Sequence, residues 1–319
     1  MASEPEVIRD KTAMRRWSRS HRSKGKTLAF VPTMGFLHEG HLALVRAAGA
    51  LADLTVVSIY VNPGQFAPSE DLDAYPADLR GDLHKLADLG VHAVFCPTNL
   101  YDYGEGGGRG DVQARRTEGA IGSSGSPPVS CLEAAAGDGS GHETWVRVEK
   151  LERGLCGMSR PVFFRGVATI VAKLFNIVEP DIAVFGKKDY QQWRIICRMV
   201  RDLDFAVKII GSEIVRESDG LAMSSRNVRL SPEEREKALS IYNSLSKAKY
   251  AALHEQSTCQ ELRSLVIQLV TEAGGRIDYV EIVEQESLIP VEEINSPAVI
   301  CIAAWFGAVR LIDNMEINP

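Results

Sequence analysis

Apolar positions follow two different rhythms along roughly the first two thirds of the chain. Short β-branched runs predict strands at 27–33, 54–61, 93–96 and 182–185. Between these runs, apolar positions at helical spacing predict helices at 40–52, 77–89, 166–178 and 191–202. This alternation is typical of a parallel sheet with helices on both faces. We therefore predict an α/β protein with a Rossmann-like, doubly wound parallel sheet, in which ligands bind beyond the carboxyl ends of the strands.

The rhythm changes after about residue 211. Ser231 and Pro232 are residue types favoured at an N-cap and at a first helical position, so a long charged helix is predicted to begin there. A second helix is predicted near 260–272, and strands are predicted at 277–284, 299–304 and 309–313. Helices followed by a run of strands indicate a smaller C-terminal α+β domain. The predicted domains are therefore 1–213 and 214–319.

One segment departs from both rhythms. Residues 104–141 contain eleven of the chain's 27 glycines, and Ser and Ala fill much of the remainder. This composition cannot bury enough apolar surface to offset its ordering entropy, which favours a flexible insertion. A catalytic lid is the alternative interpretation.

Composition restricts the partners and the compartment. With 36 Lys and Arg against 42 Asp and Glu, the net charge of −6 gives no global reason to expect nucleic acid or a membrane as a partner. The longest apolar run, 298–309, is too short to span a bilayer. Six widely spaced cysteines without a CxxC pair favour a reducing compartment. The N-terminus lacks the apolar stretch of a secretory signal, and a transit peptide is the alternative interpretation of its arginines. We predict a cytoplasmic protein.

The strongest candidate chemistry lies where the first predicted strand runs into a helix, at Met34, Gly35, His38, Gly40 and His41. The glycines allow close backbone approach, and a helix N-terminus carries partial positive charge, so this corner suits phosphate oxygens. Two histidines three residues apart would project toward one ligand and donate hydrogen bonds to it. A zinc site is disfavoured, because neither the four-residue histidine spacing nor a third ligand is present. A pair of surface histidines without a function is the remaining alternative.

A second corner comprises Gly186, Lys187, Lys188 and Asp189. A lysine ammonium is a compact charge that can follow a phosphate during a reaction. Asp189 is predicted either to cap the following helix or to hold Mg²⁺ bound to phosphates. A charged turn without a function is the alternative.

Two further polar segments follow the same logic. At the predicted domain junction, Ser224, Ser225 and Arg226 place two hydroxyls beside a guanidinium, which suits a triphosphate. After the second strand, Asn62 and Gln65 offer neutral amides for hydroxyls and carboxylates. Each segment alone is also compatible with an ordinary loop.

These segments carry a resemblance. The run from His38 to His41 resembles the HxGH signature of nucleotidyltransferase-superfamily enzymes. The run from Met223 to Arg226 resembles their basic KMSKS loop, with Ala222 where the first lysine would be, so the basic role shifts to Arg226 and Lys188. More specifically, segments 32–35, 61–66, 164–167 and 223–227 occur in the order seen in the pantothenate synthetase (pantoate–β-alanine ligase) family. The insertion resembles that of its plant members.

The resemblance implies a reaction in two steps. Pantoate and ATP would form pantoyl-adenylate and pyrophosphate, and β-alanine would then give pantothenate and AMP. The adenylate must be shielded from water, which implies a C-terminal domain that acts as a lid. ATP is a substrate, Mg²⁺ an expected cofactor and a homodimer the expected assembly. A nucleotidylyltransferase that leaves AMP on its product, and an ATP-binding sensor without turnover, are the alternatives.

The resemblance also assigns residues. The implied catalytic residues are His38, His41, Lys188, Ser225 and Arg226. ATP would further contact Met34, Gly35, Gly40, Gly186, Lys187, Asp189, Val215, Met223 and Ser224. Pantoate would be held by Gln65 and Gln192, and β-alanine would lie near Gln65, Asn62 and Tyr75. Arg165 is an expected neighbour of the site without an assigned role.

Overall fold

The computed structural model describes residues 4–67, 72, 75–101 and 142–319 of the chain. The insertion predicted at 104–141 lies outside the described residues. Among the described residues, no helix is both long and apolar enough to cross a membrane.

A six-stranded parallel sheet forms the larger unit, as predicted. Its strands are β1 (Glu6–Ile8), β2 (Leu28–Thr33), β3 (Leu54–Ile59), β4 (Ala93–Phe95), β5 (Ile182–Gly186) and β6 (Lys208–Ser212). They lie in the order β1-β4-β3-β2-β5-β6. From β2 the chain proceeds through β3 toward one edge, whereas from β5 it proceeds to β6 at the other edge. The neighbouring strands β2 and β5 therefore flank the switch point where such sheets bind ligands.

Helices cover both faces of this sheet. They are α1 (Lys11–Arg22), α2 (Glu39–Gly49), α3 (Leu79–Asp88), α4 (Cys156–Ser159), α5 (Phe163–Val178) and α6 (Tyr190–Asp202). Neighbouring strand residues alternate between two apolar cores, because successive side chains of a strand point to opposite faces. Phe30 and Val56 belong to the core shared with α5 and α6, whereas Val31 and Val57 belong to the core shared with α2 and α3. The predicted doubly wound architecture is confirmed.

The C-terminal unit contains α7 (Pro232–His254), α8 (Cys259–Glu272), β7 (Arg276–Glu284), β8 (Ala298–Phe306) and β9 (Val309–Ile317). Its strands form an antiparallel sheet in the order β7-β8-β9. The predicted N-cap is confirmed: the Ser231 hydroxyl accepts from the Glu234 N–H at 3.2 Å, and the Glu234 carboxylate accepts from the Ser231 N–H at 2.8 Å. A sheet against two helices confirms the α+β prediction, while the boundary at residue 213 stays a prediction.

Several elements differ from the sequence prediction. The predicted helices and strands begin and end within a few residues of the observed ones, and β9 continues beyond the predicted end. Strands β1 and β6 and helices α1 and α4 were not predicted. β1 is a three-residue edge strand, and only Met14 and Ser18 of α1 are buried, so neither segment carries a strong apolar pattern.

The N-cap position predicted for Asp189 is confirmed, but capping by its side chain is not observed. Asp189 holds the N-cap position of α6, but its side chain makes no capping hydrogen bond. A 3₁₀ turn, Lys187–Asp189, leads directly into the helix and gives Asp189 a ψ of 62°. N-cap side chains reach the helix N–H groups from an extended backbone, which this turn does not provide.

Candidate active site

The corner between β2 and α2 is held in place by a helix that the sequence analysis did not connect with it. Asp82 of α3 is 1% exposed, and its two carboxylate oxygens accept hydrogen bonds from the N–H groups of Phe36 and Leu37, each at 2.7 Å. Burial raises the pKa of Asp82, and the two amide donors oppose that rise. Lys85 donates to the Leu37 carbonyl at 2.7 Å. Gly35 has a φ of +83°, a conformation that only glycine adopts readily.

The two predicted histidines stand side by side at the start of α2. Their ring centroids are 4.0 Å apart, and the His38 backbone N–H donates to His41 Nδ1 at 3.4 Å. Burial lowers the pKa of His38 to about 4 and that of His41 to about 3. Both rings are therefore neutral at pH 7. Because Nδ1 of His41 accepts, its proton lies on Nε2, where it is available to a ligand.

The second predicted corner lies beside the first. The charge of Lys188 lowers the pKa of both His38 and His41, and the charge of Asp189 opposes the fall for His38. Lys85, which the sequence analysis missed, adds a second positive charge that lowers both values. The site thus combines two cationic side chains with two neutral donors, an arrangement suited to an anionic ligand.

Lys187 differs from its neighbour Lys188. Its ammonium donates to Glu213 at 2.6 Å and to Glu316 at 3.1 Å, and only 16% of its side chain is exposed. The role of Lys187 in ATP binding stays a prediction, and its ammonium is engaged by two carboxylates of the protein itself.

The predicted triphosphate loop begins next to the histidine corner. A Cβ placed on Gly40 would lie 3.6 Å from Met223 Cβ, so the loop passes close to the start of α2. The Met223 N–H donates to the Val215 carbonyl at 3.0 Å, which joins the two residues predicted to frame adenosine. The Ser224 hydroxyl accepts from the Arg226 N–H at 3.2 Å and shapes the loop. Ser225 is half-buried between them.

The side-chain amide of Asn62 is hydrogen-bonded within the protein. Its side chain is 1% exposed, and its nitrogen donates to Gln65 Oε1 at 2.9 Å and to the Gly166 carbonyl at 3.2 Å. Its oxygen accepts from the Gly64 N–H at 3.2 Å and from the Tyr101 hydroxyl at 2.8 Å. The amide is fully used within the protein. Asn62 therefore orients Gln65, and its contact with β-alanine stays a prediction.

Gln65 connects this cluster to the histidine corner. Its side-chain nitrogen lies 3.4 Å from the Met34 sulfur. Gln192, the other residue predicted to hold pantoate, is half-buried in the first turn of α6, directly after the turn that carries Lys188. Gln192 thus follows β5 at the switch point, whereas Gln65 follows β3, the strand beside β2.

Two other predicted neighbours take part in aromatic packing. Tyr75 is buried and packs edge-on against Phe66, with ring centroids 6.2 Å apart. The Arg165 guanidinium lies over the Trp145 ring, 4.3 Å from its centroid. Their predicted places near the substrates remain predictions.

Asp82, Lys85 and Tyr101 were not among the predicted site residues. The sequence contains one indication of the role of Asp82: it is an acidic residue at a position where the apolar spacing of α3 predicts burial. A buried carboxylate requires hydrogen-bond donors, and the N–H groups of a tight loop supply them. The sequence contains no indication of the role of Tyr101, because this residue lies next to the glycine-rich segment, outside any predicted element.

The fold and the site together define a class: a doubly wound α/β protein whose switch point carries neutral histidines and lysines suited to a phosphate-bearing ligand. The sequence model of the family described as pantoate–β-alanine ligase matches residues 6–316. The chain belongs to the pantoate–β-alanine ligase family, as its motifs predicted.

Individual relatives agree over nearly the whole length. Pantoate–β-alanine ligase of Oryza sativa subsp. japonica is 66% identical over 320 residues, which cover 99% of this chain and 97% of the relative. The predicted likeness to plant members is confirmed. Pantothenate synthetase from Thermus thermophilus has a TM-score of 0.81 at 37% identity, covering 98% of this chain and 100% of that one. The Francisella tularensis ligase, complexed with β,γ ATP and β-alanine, has a TM-score of 0.70 at 28% identity, covering 98% and 97% of the two chains.

Proposed function

We propose that this protein uses ATP to condense pantoate with β-alanine, releasing AMP and pyrophosphate through a pantoyl-adenylate. The main observation in support of this function is the neutral pair His38 and His41 beside Lys188. These residues follow the carboxyl ends of the adjacent strands β2 and β5. The Francisella relative, crystallised with an ATP compound and β-alanine, supports the choice of substrates.

The first step requires hydrogen-bond donors more than it requires a general base. A carboxylate oxygen of pantoate attacks the α-phosphorus of ATP, the bond to pyrophosphate breaks, and negative charge moves onto the phosphoryl and leaving oxygens. Donors aimed at such oxygens are usually the largest catalytic contribution. Nε2–H of His41 is one such donor, and the Lys188 ammonium supplies the charge. Ser225 and Arg226, in the loop beside Gly40, are proposed to hold the pyrophosphate side.

The second step requires orientation. The neutral amine of β-alanine attacks the acyl carbon, AMP leaves with the electrons of the acyl–oxygen bond, and the nitrogen loses a proton. Gln65 is proposed to hold pantoate so that this carbon stays accessible, and the hydrogen bond from Asn62 fixes the Gln65 amide. Orientation of this kind can contribute several powers of ten to a rate.

Mg²⁺ fits the site only in part. Within the described ranges, no group of three or more His, Cys, Asp or Glu side chains is arranged to hold a metal ion. Asp189 is the one proposed carboxylate ligand, and both oxygens of Asp82 already accept backbone N–H groups. Mg²⁺ would therefore be bound mainly by the phosphates and water, and it would neutralise part of the phosphate charge. A homodimer is proposed from the family resemblance. A cytoplasmic location is proposed from the cysteine spacing, which favours a reducing compartment.

Pyrophosphate–ATP exchange tests this function. Labelled pyrophosphate is incubated with enzyme and ATP in the presence of pantoate alone, β-alanine alone or neither. Exchange that requires pantoate and not β-alanine supports the adenylate and the order of steps. An absence of exchange under all three conditions, with pantothenate still formed, contradicts the intermediate. A product that retains AMP favours a nucleotidylyltransferase instead.

A further inference from the structure

Strand β9, at the C-terminal edge of the chain, touches two of the segments proposed to bind ATP. Asn314 is 4% exposed, and its side-chain nitrogen donates to the carbonyls of Lys187 and Lys188, each at 2.9 Å. Both amide hydrogens of Asn314 are therefore used on the turn that carries Lys188. Backbone carbonyls held in this way fix the direction in which the following side chain leaves the turn.

The neighbouring residue, Asp313, reaches the other segment. Its carboxylate, with 3% of the side chain exposed, pairs in bidentate fashion with Arg216 at 2.6 and 2.9 Å. Arg216 also donates to the Gly220 carbonyl at 3.1 Å and lies over the Tyr242 ring, 4.5 Å from its centroid. Bidentate pairing fixes the plane of the guanidinium as well as its position.

Arg216 stands at the base of the loop that carries Met223 and Ser225. It forms an antiparallel bridge with Ala222, and the next pair, Val215 and Met223, is hydrogen-bonded at 3.0 Å. The position of the Met223–Arg226 loop is therefore set from Asp313 through Arg216. Successive residues of one strand point to opposite faces, which lets β9 reach two segments at once.

We infer that Asp313 and Asn314 are positioning residues that hold the Lys188 turn and the Met223–Arg226 loop in register for ATP. This inference rests on the proposed roles of Lys188, Ser225 and Arg226. It assigns a function in the reaction to the C-terminal sheet. A misplacement of about 1 Å in such groups can lower a rate by about 10²-fold.

The first test replaces Asn314 by Asp. The side chain keeps its shape, but a carboxylate then faces the two carbonyl oxygens and repels them. We expect the affinity for β,γ-methylene ATP, measured by calorimetry, to fall about tenfold, and pantoate-dependent exchange to fall about 10- to 100-fold. KM for β-alanine in the overall reaction is expected to stay within twofold. Asn314→Ala, which removes the donors without adding a charge, is expected to give smaller losses of the same kind.

The control is Asn318→Asp, the same change at an exposed position near the end of the same chain segment. Asn318 accepts a hydrogen bond from Gln285 at 3.0 Å, and Asp retains that acceptor. All parameters are expected to stay within twofold. The inference is overturned if both Asn314 variants keep analogue affinity and exchange within twofold, or lose ATP and β-alanine parameters equally.

A second pair of variants tests the Asp313 side. Arg216→Lys keeps the charge but loses the bidentate pair, and exchange is expected to fall about tenfold. Arg263→Lys is the matched control, because Arg263 pairs with Glu281 at 3.2 Å within the same unit but away from the ATP segments. Equal losses of exchange in the Arg216→Lys and Arg263→Lys variants would overturn the inference. If the wild type shows no exchange, the adenylate proposal fails, while analogue binding still tests the positioning pair.

Discussion

Asn62 donates a hydrogen bond to Gln65 between two buried side-chain amides, across 2.9 Å. The donor nitrogen of Asn62 also serves the Gly166 carbonyl, and its oxygen is occupied by Gly64 and Tyr101. The orientation of the Gln65 amide is therefore determined: its oxygen faces Asn62, and its nitrogen faces Met34 and the proposed substrate site.

Replacing Asn62 by Asp should release Gln65. The variant keeps the acceptor oxygen but loses the donors to Gln65 and Gly166. We expect KM for pantoate to rise about tenfold, the equivalent of roughly one substrate hydrogen bond. Steady-state kinetics with varied pantoate measure the effect. Asn99→Asp is the control, because the Asn99 oxygen accepts from the Tyr101 N–H and Asp keeps that bond. An unchanged KM in the Asn62 variant would refute the orienting role.

Replacing Asp82 by Asn should loosen the histidine corner. Asn has one acceptor oxygen, so either the Phe36 or the Leu37 N–H loses its partner. We expect a loss of about 1–3 kcal/mol in the free energy of unfolding, measured in urea, together with a raised KM for ATP. Asp78→Asn on the same helix is the control. Asp78 caps α3 by accepting from the Gly81 N–H at 2.9 Å, and Asn is an equally good N-cap. Equal losses in the two variants would contradict the prediction.

Gly166 should not tolerate a methyl group. A Cβ there would lie 2.0 Å from the Gly64 carbonyl oxygen and 2.6 Å from the Gln65 nitrogen, both backbone atoms. We expect Gly166→Ala to destabilise the protein by about 1–3 kcal/mol and to raise KM for pantoate, since the turn before Gln65 must move. Gly154→Ala is the control, because a Cβ there meets no atom within 4 Å. Thermal unfolding and kinetics would compare the two, and equal stabilities would count against the close approach.

The half-buried histidines His38 and His41 should make the protein less stable in acid. The unfolded chain binds a proton at His41 near pH 6.5, whereas burial lowers the folded pKa to about 3. Between these values the unfolded state binds more protons, so stability falls as the pH falls. His41→Asn removes this term. Its stability relative to the wild type should therefore rise as the pH is lowered from 7 to 4, in urea titrations. A difference that stays constant with pH would contradict the assignment.

The sequence predicted the architecture because the strands of a doubly wound sheet are apolar on both faces. Six buried residues in β3 leave an unmistakable run, whereas β1 is short and largely exposed. The site was predicted through residues on the loops after strands, where His38, Lys188 and Gln65 are found. The residues that hold these side chains in place were not predicted. Asp82, Tyr101 and Asn314 act through contacts between segments far apart in sequence. Period and spacing describe one element at a time, and such contacts exist only after packing.

The strand β8 belongs to two apolar cores at once. Val299 and Cys301 pack with the core of the larger unit, and Ile300 and Ile302 pack with α7 and α8. On the larger unit's side, the Cys156 sulfur lies 3.2 Å from the Tyr279 hydroxyl of the neighbouring strand. Neither unit can unfold without exposing the apolar side chains on one face of this sheet to water. Heating should therefore give a single calorimetric transition, so that the enzyme loses its proposed nucleotide site and its C-terminal sheet in one cooperative event.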